Sequence, residues 1–365
     1  MLTQPAQTAL YRTHIRLGAK MSPFGGFLMP ITYSSILEEH RAVRTAVGMF
    51  DLSHMGQLLI RGEKAPAWLD SLTSNEVATM RPGQARYNIV TNGAGGAHDD
   101  VIIYRLPEYW LVVVNASNTD KIWQLLEASR PSGVTLENRT PQSCLIALQG
   151  PRAVDVLQTV CDLKLADLKY YYAATGIVAG NRVEVARTGY TGEDGFEVFA
   201  SSDVAEQFWE AFTNAGQQFG LLPAGLGARD VLRLEAGMPL YGHELDENIT
   251  PLQAGLGWAV KFPKTEFTGK RALEKQRDDD AYERIVGLAM EGKAPARAGY
   301  SVFYEGQRVG DVRSGSPAPA LGGKNIATAL VHKDASPLGT TLMVEIRGAQ
   351  HPATVVQMPF YKRKK

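Results

Sequence analysis

LLIRGEKAPAWLDSL (58–72) and IALQGPRAVDVLQTV (146–160) share one pattern at an offset of 88 residues. In each, an apolar run is followed by a glycine, then by alanine three and leucine seven residues later. The run has strand length, and the Ala/Leu spacing puts both residues on one face of a helix. Gly62 and Gly150 therefore read as turns that feed a strand into a helix packing back on it. Two descriptions stay open: two related α+β halves, or one common strand–turn–helix unit used twice.

Outward from these segments, helix and strand patterns mix along the chain. Ser35 and Glu38 have capping-box spacing, and the helix they open is expected to end near Gly48 as a C-cap. QLLIR (57–61), VIIY (101–104), WLVVV (110–114), VEVAR (183–187) and FEVFA (196–200) read as strands. The spacing predicts helices over 64–72, over 118–128, and from a Ser202 cap to about 214. LEKQRDDDAYER (273–284) is a charged stretch suited to a solvated helix end or linker. Beyond it helix patterns cease. Short strands separated by turn residues, with a hairpin at Glu305-Gly306, predict an all-β module of about 80 residues, a small barrel or jelly roll.

The chain has 365 residues, enough for roughly two to three domains. Lys+Arg and Asp+Glu both number 38, which argues against a dedicated nucleic-acid binder. Two cysteines, Cys144 and Cys161, exclude a disulfide scaffold and a four-thiolate zinc site. The seven histidines show no metal-ligand spacing, so no metal is expected. No apolar run reaches membrane-spanning length, and the N-terminus lacks the apolar core of a signal peptide. The expectation is a cytoplasmic protein that neither enters a membrane nor binds nucleic acid.

Three segments carry chemistry. In GAGGAHDDVIIY (93–104), glycines lead into a strand. Alternation puts Asp100, Ile102 and Tyr104 on one face and Asp99, Val101 and Ile103 on the other. If the second face packs on the core, Asp100 and Tyr104 look together at whatever lies opposite. The alternative is that both aspartates finish a turn. In RTGYTGEDGFEVF (187–199), two strands would bring Arg187, Tyr190 and Glu197 near one another. Glu197 is either at the surface or facing a polar ligand. A carboxylate suits a ring edge that offers N–H and NH₂ side by side, as guanine and pterin do. In PAGLGARDVLRLEAGMPLYGHEL (223–245), Arg229 can grip a carboxylate or pair with Asp230 or Glu235. His243 and His54 read as structural, with the apolar flanks of His54 suggesting a cavity wall. Neither cysteine has an activating partner nearby in sequence.

At these segments the chain resembles the tetrahydrofolate-dependent aminomethyltransferases, the T-proteins of the glycine cleavage system. GMFDLSHMG (48–56), GGAHDD (95–100), RTGYTGEDGFE (187–197), PAGLGARDVLRLEAGMPLYG (223–242), GLGWAVKF (255–262), FTGKRAL (267–273) and SGSPAPALGGKNIATALV (314–331) carry the resemblance. It implies an α+β fold of three domains arranged like a clover leaf around a folate cavity. Two have antiparallel sheets and occupy 1–280, interleaved, and a C-terminal β-barrel or jelly roll occupies 281–365. It implies that a lipoylated H-protein presents an aminomethyl group. N5 of tetrahydrofolate attacks the methylene carbon, ammonia leaves, and 5,10-methylenetetrahydrofolate and dihydrolipoyl H-protein form. With zero net charge, attraction to that partner would come from a local basic patch.

Residue by residue, the resemblance makes Asp100 the essential aspartate, set near N10 of the folate. Glu197 would hold the pterin edge. Tyr87, Tyr104, Asn115 and Tyr190 would line the cavity, with Met55 and Trp258 as apolar wall. Arg229 and Tyr361 would sit by the benzoyl-glutamate end. Rival relatives are folate-dependent demethylases, which differ on the donor side, and a non-enzymatic folate-binding factor of iron–sulfur assembly. The latter carries a K-G-C-x-x-G-Q-E segment. HELDENITPLQAGL (243–256) and its surroundings contain no cysteine.

Overall fold

The computed structural model describes residues 4–363. The chain folds into two compact units that are discontinuous in sequence. The first comprises residues up to Leu69, Val77–Tyr87 and Val101–Asp230; the second comprises Asp70–Glu76, Asn88–Asp100 and everything from Val231 on.

In the first unit, a six-stranded sheet runs in the order Ala173–Val178, Asn181–Ala186, Gly195–Ser201, Ser143–Gln149, Val47–Asp51, Leu221–Pro223. Its pairings are antiparallel except for the last, which is parallel. Phe196 and Val198 point to the covered face, where Phe208, Trp209 and Phe212 of the helix Ala205–Gly216 complete a core with Val156 and Leu157. The alternate residue Glu197 is thereby turned to the opposite face. A second sheet has the order Ala85–Thr91, Ala97–Arg105, Trp110–Val114, Gly56–Arg61, Thr135–Asn138. Two of its strands, Ala85–Thr91 and Ala97–Arg105, carry the chain from one unit into the other.

Both glycines of the repeated pattern do what the sequence predicts. Gly62 follows the strand Gly56–Arg61 at φ +126°, and Gly150 follows Ser143–Gln149 at φ +136°. A Cβ at either position would meet a backbone oxygen at 2.4 Å, of Gly133 and Ala46 respectively. The helices Ala65–Leu72 and Ala153–Gln158 follow, with Ala65, Leu69, Ala153 and Leu157 all buried.

Two local expectations are corrected. The helix capped by Ser35 spans Ile36–Thr45, and the Ser35 side chain accepts from the Glu38 N–H as expected. Gly48, however, lies within the strand Val47–Asp51 rather than capping the helix. Its missing side chain lets that strand approach the helix, since a Cβ there would sit 2.3 Å from a Val43 methyl. Likewise Ser201, not Ser202, caps the turn that leads into Ala205–Gly216.

In the second unit, Arg284–Met290, Lys324–Val331, Gln307–Ala318, Ser301–Tyr304, Thr341–Ile346 and Ala349–Val356 close into a six-stranded barrel. Between barrel and jelly roll, the structure selects the barrel. Glu305 (φ +50°) and Gly306 (φ +79°) form the expected hairpin turn. Leu288, Val302, Ala327, Leu342 and Ala353 fill the interior. Outside the barrel, the Arg233 guanidinium is fully buried. It donates to Glu244 Oε2 at 2.9 Å and to Ser314 Oγ at 2.7 Å. Thr328 Oγ1 and the Leu240 N–H also donate to the Glu244 carboxylate. Lys264 Nζ similarly donates to the carbonyls of Thr73 and Asn75.

Candidate active site

In the second unit, Asp99 and Asp100 lie inside the strand Ala97–Arg105, not in the turn before it. Asp99, Val101 and Ile103 are buried, while His98, Asp100 and Ile102 are half-buried, as the alternation predicts. The glycines ahead of the strand are there because backbones nearly touch. A Cβ on Gly96 would lie 1.9 Å from the Glu247 carbonyl oxygen. Asn92 Oδ1 accepts from the N–H groups of Ala94 and Gly96, at 2.9 and 3.0 Å. Ala97 donates its N–H to Asp246 O at 2.9 Å, and its carbonyl accepts from the Tyr241 hydroxyl at 3.2 Å. The start of the strand is therefore held at Ala97 through both its N–H and its carbonyl, three residues ahead of Asp100. Trp258 of this unit is 59% exposed, and Tyr361 is half-buried with its N–H bonded to Glu235 O at 2.8 Å.

In the first unit, Glu197 is 7% exposed. Tyr104 donates to its Oε2 at 3.2 Å, and the Thr188 hydroxyl donates to the same oxygen. No described residue donates to Oε1, and Glu197 lines up beside Ala186 and Ala147, whose side chains compete for none of it. Burial, reinforced by the Glu197 charge, pushes the Tyr104 pKa far up, so the phenol stays neutral and remains a donor. Phe199 packs edge-on against the Tyr104 ring at 5.3 Å.

Tyr190 and Arg229 join this group. The Arg229 guanidinium lies 4.6 Å from the centroid of the Tyr190 ring. Burial draws its pKa down, with Tyr190 and Glu197 opposing, so the cation feels the carboxylate. Tyr104, Tyr190, Glu197 and Arg229 thus form one constellation. Arg187 lies next to Ala186, the ladder partner of Glu197, and over the Phe196 ring, but its guanidinium does not bond Glu197. Arg187 makes a fork to Asp194, Nε to Oδ1 at 3.0 Å and Nη2 to Oδ2 at 2.5 Å, because the glycine-rich turn between them doubles the chain back. Met55, Tyr87 and Asn115 are half-buried, in a turn, in a strand, and ahead of a 3₁₀ turn respectively.

Sequence reasoning passed over Thr188 and undervalued His54. Thr188 follows the end of the strand, where alternation no longer assigns a face; only its place inside RTGYTGEDG pointed to it. His54 is 2% exposed, packs edge-on against Phe24 and Phe27, and its Nδ1 has no partner among the described residues. Burial drives its pKa down to about 4, Asp51 opposing and Arg229 adding to the fall. Its neighbour Asp51 accepts from Thr8, His14 and the Ser53 N–H. Against the effect of burial, these bonds hold the Asp51 carboxyl below its ordinary range.

A pH dependence follows. The unfolded chain binds a proton at His54 near pH 6.5, whereas the folded chain does so only near 4. Between those values the unfolded state holds more protons, so stability falls as pH falls. The loss from pH 6.5 to 4.5 is on the order of 2 kcal/mol. The Asp51 contribution is lost only at more acid pH, below its unfolded value of 3.8. Urea unfolding of wild type and His54→Gln across this window checks it. The wild-type slope should flatten in the variant, and parallel curves would count against the assignment.

The family described as the GCVT N-terminal domain matches residues 10–264, and the glycine cleavage T-protein C-terminal barrel domain matches residues 283–362. The chain belongs to the glycine cleavage T-protein family. Among its relatives, the aminomethyltransferase of Desulforamulus reducens is 44% identical over 358 residues, covering 98% of each chain. That of Geobacillus kaustophilus is 45% identical over 362 residues, covering 98% of this chain and 99% of the relative. The crystal structure of the glycine cleavage system aminomethyltransferase T from Bartonella henselae superposes with a TM-score of 0.92 at 32% identity, covering 98% of each chain. Family and fold therefore agree with the mixed α+β architecture and its terminal barrel. Among the described residues, no helix is long and apolar enough to cross a membrane, and no acidic, histidine or cysteine cluster is arranged to hold a metal.

Proposed function

We propose that the chain is the aminomethyltransferase of a glycine cleavage system. It moves the methylene carbon of the aminomethyl group on a lipoylated H-protein to tetrahydrofolate and releases ammonia. The observation that carries the folate assignment is the uncommitted oxygen of Glu197. Two hydroxyls hold Oε2, while among the described residues none donates to Oε1, which leaves that oxygen open to a ligand donor. A pterin edge with adjacent N–H and NH₂ groups supplies the missing donor. Tyr190 stacked under Arg229 offers a flat face and a cation for the benzoyl-glutamate end. Met55, Tyr87, Tyr104, Asn115 and Trp258 are proposed to line the folate's path, and Tyr361 to lie near its glutamate end.

Asp100 has the catalytic role. A half-buried carboxylate on this strand bonds the folate near N10, orients the N5 nucleophile and accepts or returns a proton while the methylene bridge closes. The carbon's bonds to nitrogen and sulfur break as its bonds to N5 and N10 form, so that ammonia leaves and the proton given up by N10 ends on the freed lipoyl thiol. We assign residues 1–280 to the folate and aminomethyl chemistry and 281–365 to the barrel. The free thiols of Cys144 and Cys161 accord with a reducing cytoplasm.

The test is ammonia release by the purified chain with tetrahydrofolate and aminomethyl-loaded H-protein, with methylamine donors run in parallel. Turnover only with the methylamines would favour the demethylase alternative. Glu197→Gln should weaken tetrahydrofolate binding by more than ~1 kcal/mol, the scale of one hydrogen bond to a charged group. Unchanged affinity by calorimetry would remove Glu197 from the pterin contact.

A further inference from the structure

The segment RTGYTGEDG folds around one buried side chain from outside it. Gln149 ends the strand Ser143–Gln149 and is fully buried. Its Nε2 donates to the Thr188 carbonyl at 3.0 Å, and its Oε1 accepts from the Thr191 hydroxyl at 2.9 Å. In the sheet Gly195 faces Gln149 while Glu197 faces Ala147, so Gln149 and Glu197 share one face. The amide also accounts for Gly189, whose φ lies outside the positive range that favours glycine. A Cβ there would lie 2.0 Å from Gln149 Oε1, and one on Gly195 would lie 2.4 Å from its Nε2.

Thr188 and Thr191, the two residues that the amide holds, bracket Tyr190. Thr188 donates its hydroxyl to Glu197 Oε2, and Tyr190 sets its ring beside the Arg229 guanidinium. A shift of this short stretch would move both at once. We propose that Gln149 is a positioning residue for the folate contacts, acting through Thr188 and Tyr190 and not on the folate itself. This role rests on the folate reading of Glu197. The far side of the segment has its own ties. Arg44 Nη1 donates to Thr191 O at 2.7 Å and to Glu193 Oε1 at 2.9 Å, and Arg187 forks to Asp194. Loss of the amide thus shifts the segment without releasing it.

The full-length protein is assayed with tetrahydrofolate and aminomethyl-loaded H-protein as wild type, Gln149→Met, Thr191→Val and Glu197→Gln. Methionine keeps the length of the side chain and removes both bonds, whereas Thr191→Val removes one and leaves the amide in place. The tetrahydrofolate KM should rise about tenfold in Gln149→Met and about threefold in Thr191→Val. In both, kcat at saturating folate should stay within about twofold of wild type. A merely structural loss would instead lower the amount of active enzyme, and with it kcat, and leave KM alone. Thr191→Val carries the test where Gln149→Met does not fold. Adding Thr188→Val to Gln149→Met should raise KM by less than the product of the two separate effects. KM unchanged in Gln149→Met and Thr191→Val while Glu197→Gln raises it, or effects that multiply with Thr188→Val, overturns the role of Gln149 alone. No turnover by the wild type, or KM unchanged in Glu197→Gln, overturns the folate reading and this role with it.

Discussion

Asp100→Asn lowers tetrahydrofolate-dependent ammonia release by ~10²–10⁴-fold, the range that a positioned acid–base group contributes, while thermal unfolding stays near wild type. The amide keeps the shape and a hydrogen bond but cannot take a proton. Asp100 is half-buried on a strand whose beginning is tied at Ala97 by Asp246 and Tyr241. Those ties do not involve the Asp100 side chain, so the variant should fold. Tetrahydrofolate affinity should change far less than turnover, since the pterin contacts assigned to Glu197 are untouched. A variant that turns over at the wild-type rate would remove Asp100 from the chemistry.

The second large effect is on stability. Glu244→Leu alone should cost about 3–5 kcal/mol, because it strands a buried guanidinium. Arg233 is 1% exposed, and its cation has Glu244 as its buried counter-charge. Arg233 draws the Glu244 carboxyl below its ordinary value despite the opposing effect of burial. The paired change Arg233→Met with Glu244→Leu should recover most of the loss, since both charges then leave the interior together. Denaturant midpoints of the two single variants and the double variant check this. Losses that simply add would show that the two groups are not coupled.

Much of the architecture is visible in the order of residues where one period dominates. Asp99 to Tyr104 announce their faces by alternation, and the all-β tail follows from short apolar runs between turn residues. The Gly–Ala–Leu spacing at 62, 65 and 69, and again at 150, 153 and 157, predicts both turns because only glycine accepts those backbone angles. What stayed hidden depends on distant partners. Nothing local says that Gly48 must make room for Val43 inside a strand, or that Arg187 finds Asp194 before Glu197. Thr188 sits beyond the last strand pair, so its bond to Glu197 arises from tertiary placement. The discontinuous units are likewise set by contacts between remote segments. At the site, Asp100, Glu197 and Arg229 were legible as types, but the oxygen left open on Glu197 is a property of the folded geometry.

The ring made by the last six strands has a consequence of its own. Each strand from Arg284 to Val356 has a neighbour on either side, so none can peel away first. Its amides should therefore exchange with deuterium late and nearly in unison. The two larger open sheets instead end on Ala173–Val178 and Leu221–Pro223, and on Ala85–Thr91 and Thr135–Asn138, with no further named strand beyond them among the described residues. Exchange, and any sticking of one molecule to another through strand addition, should begin there.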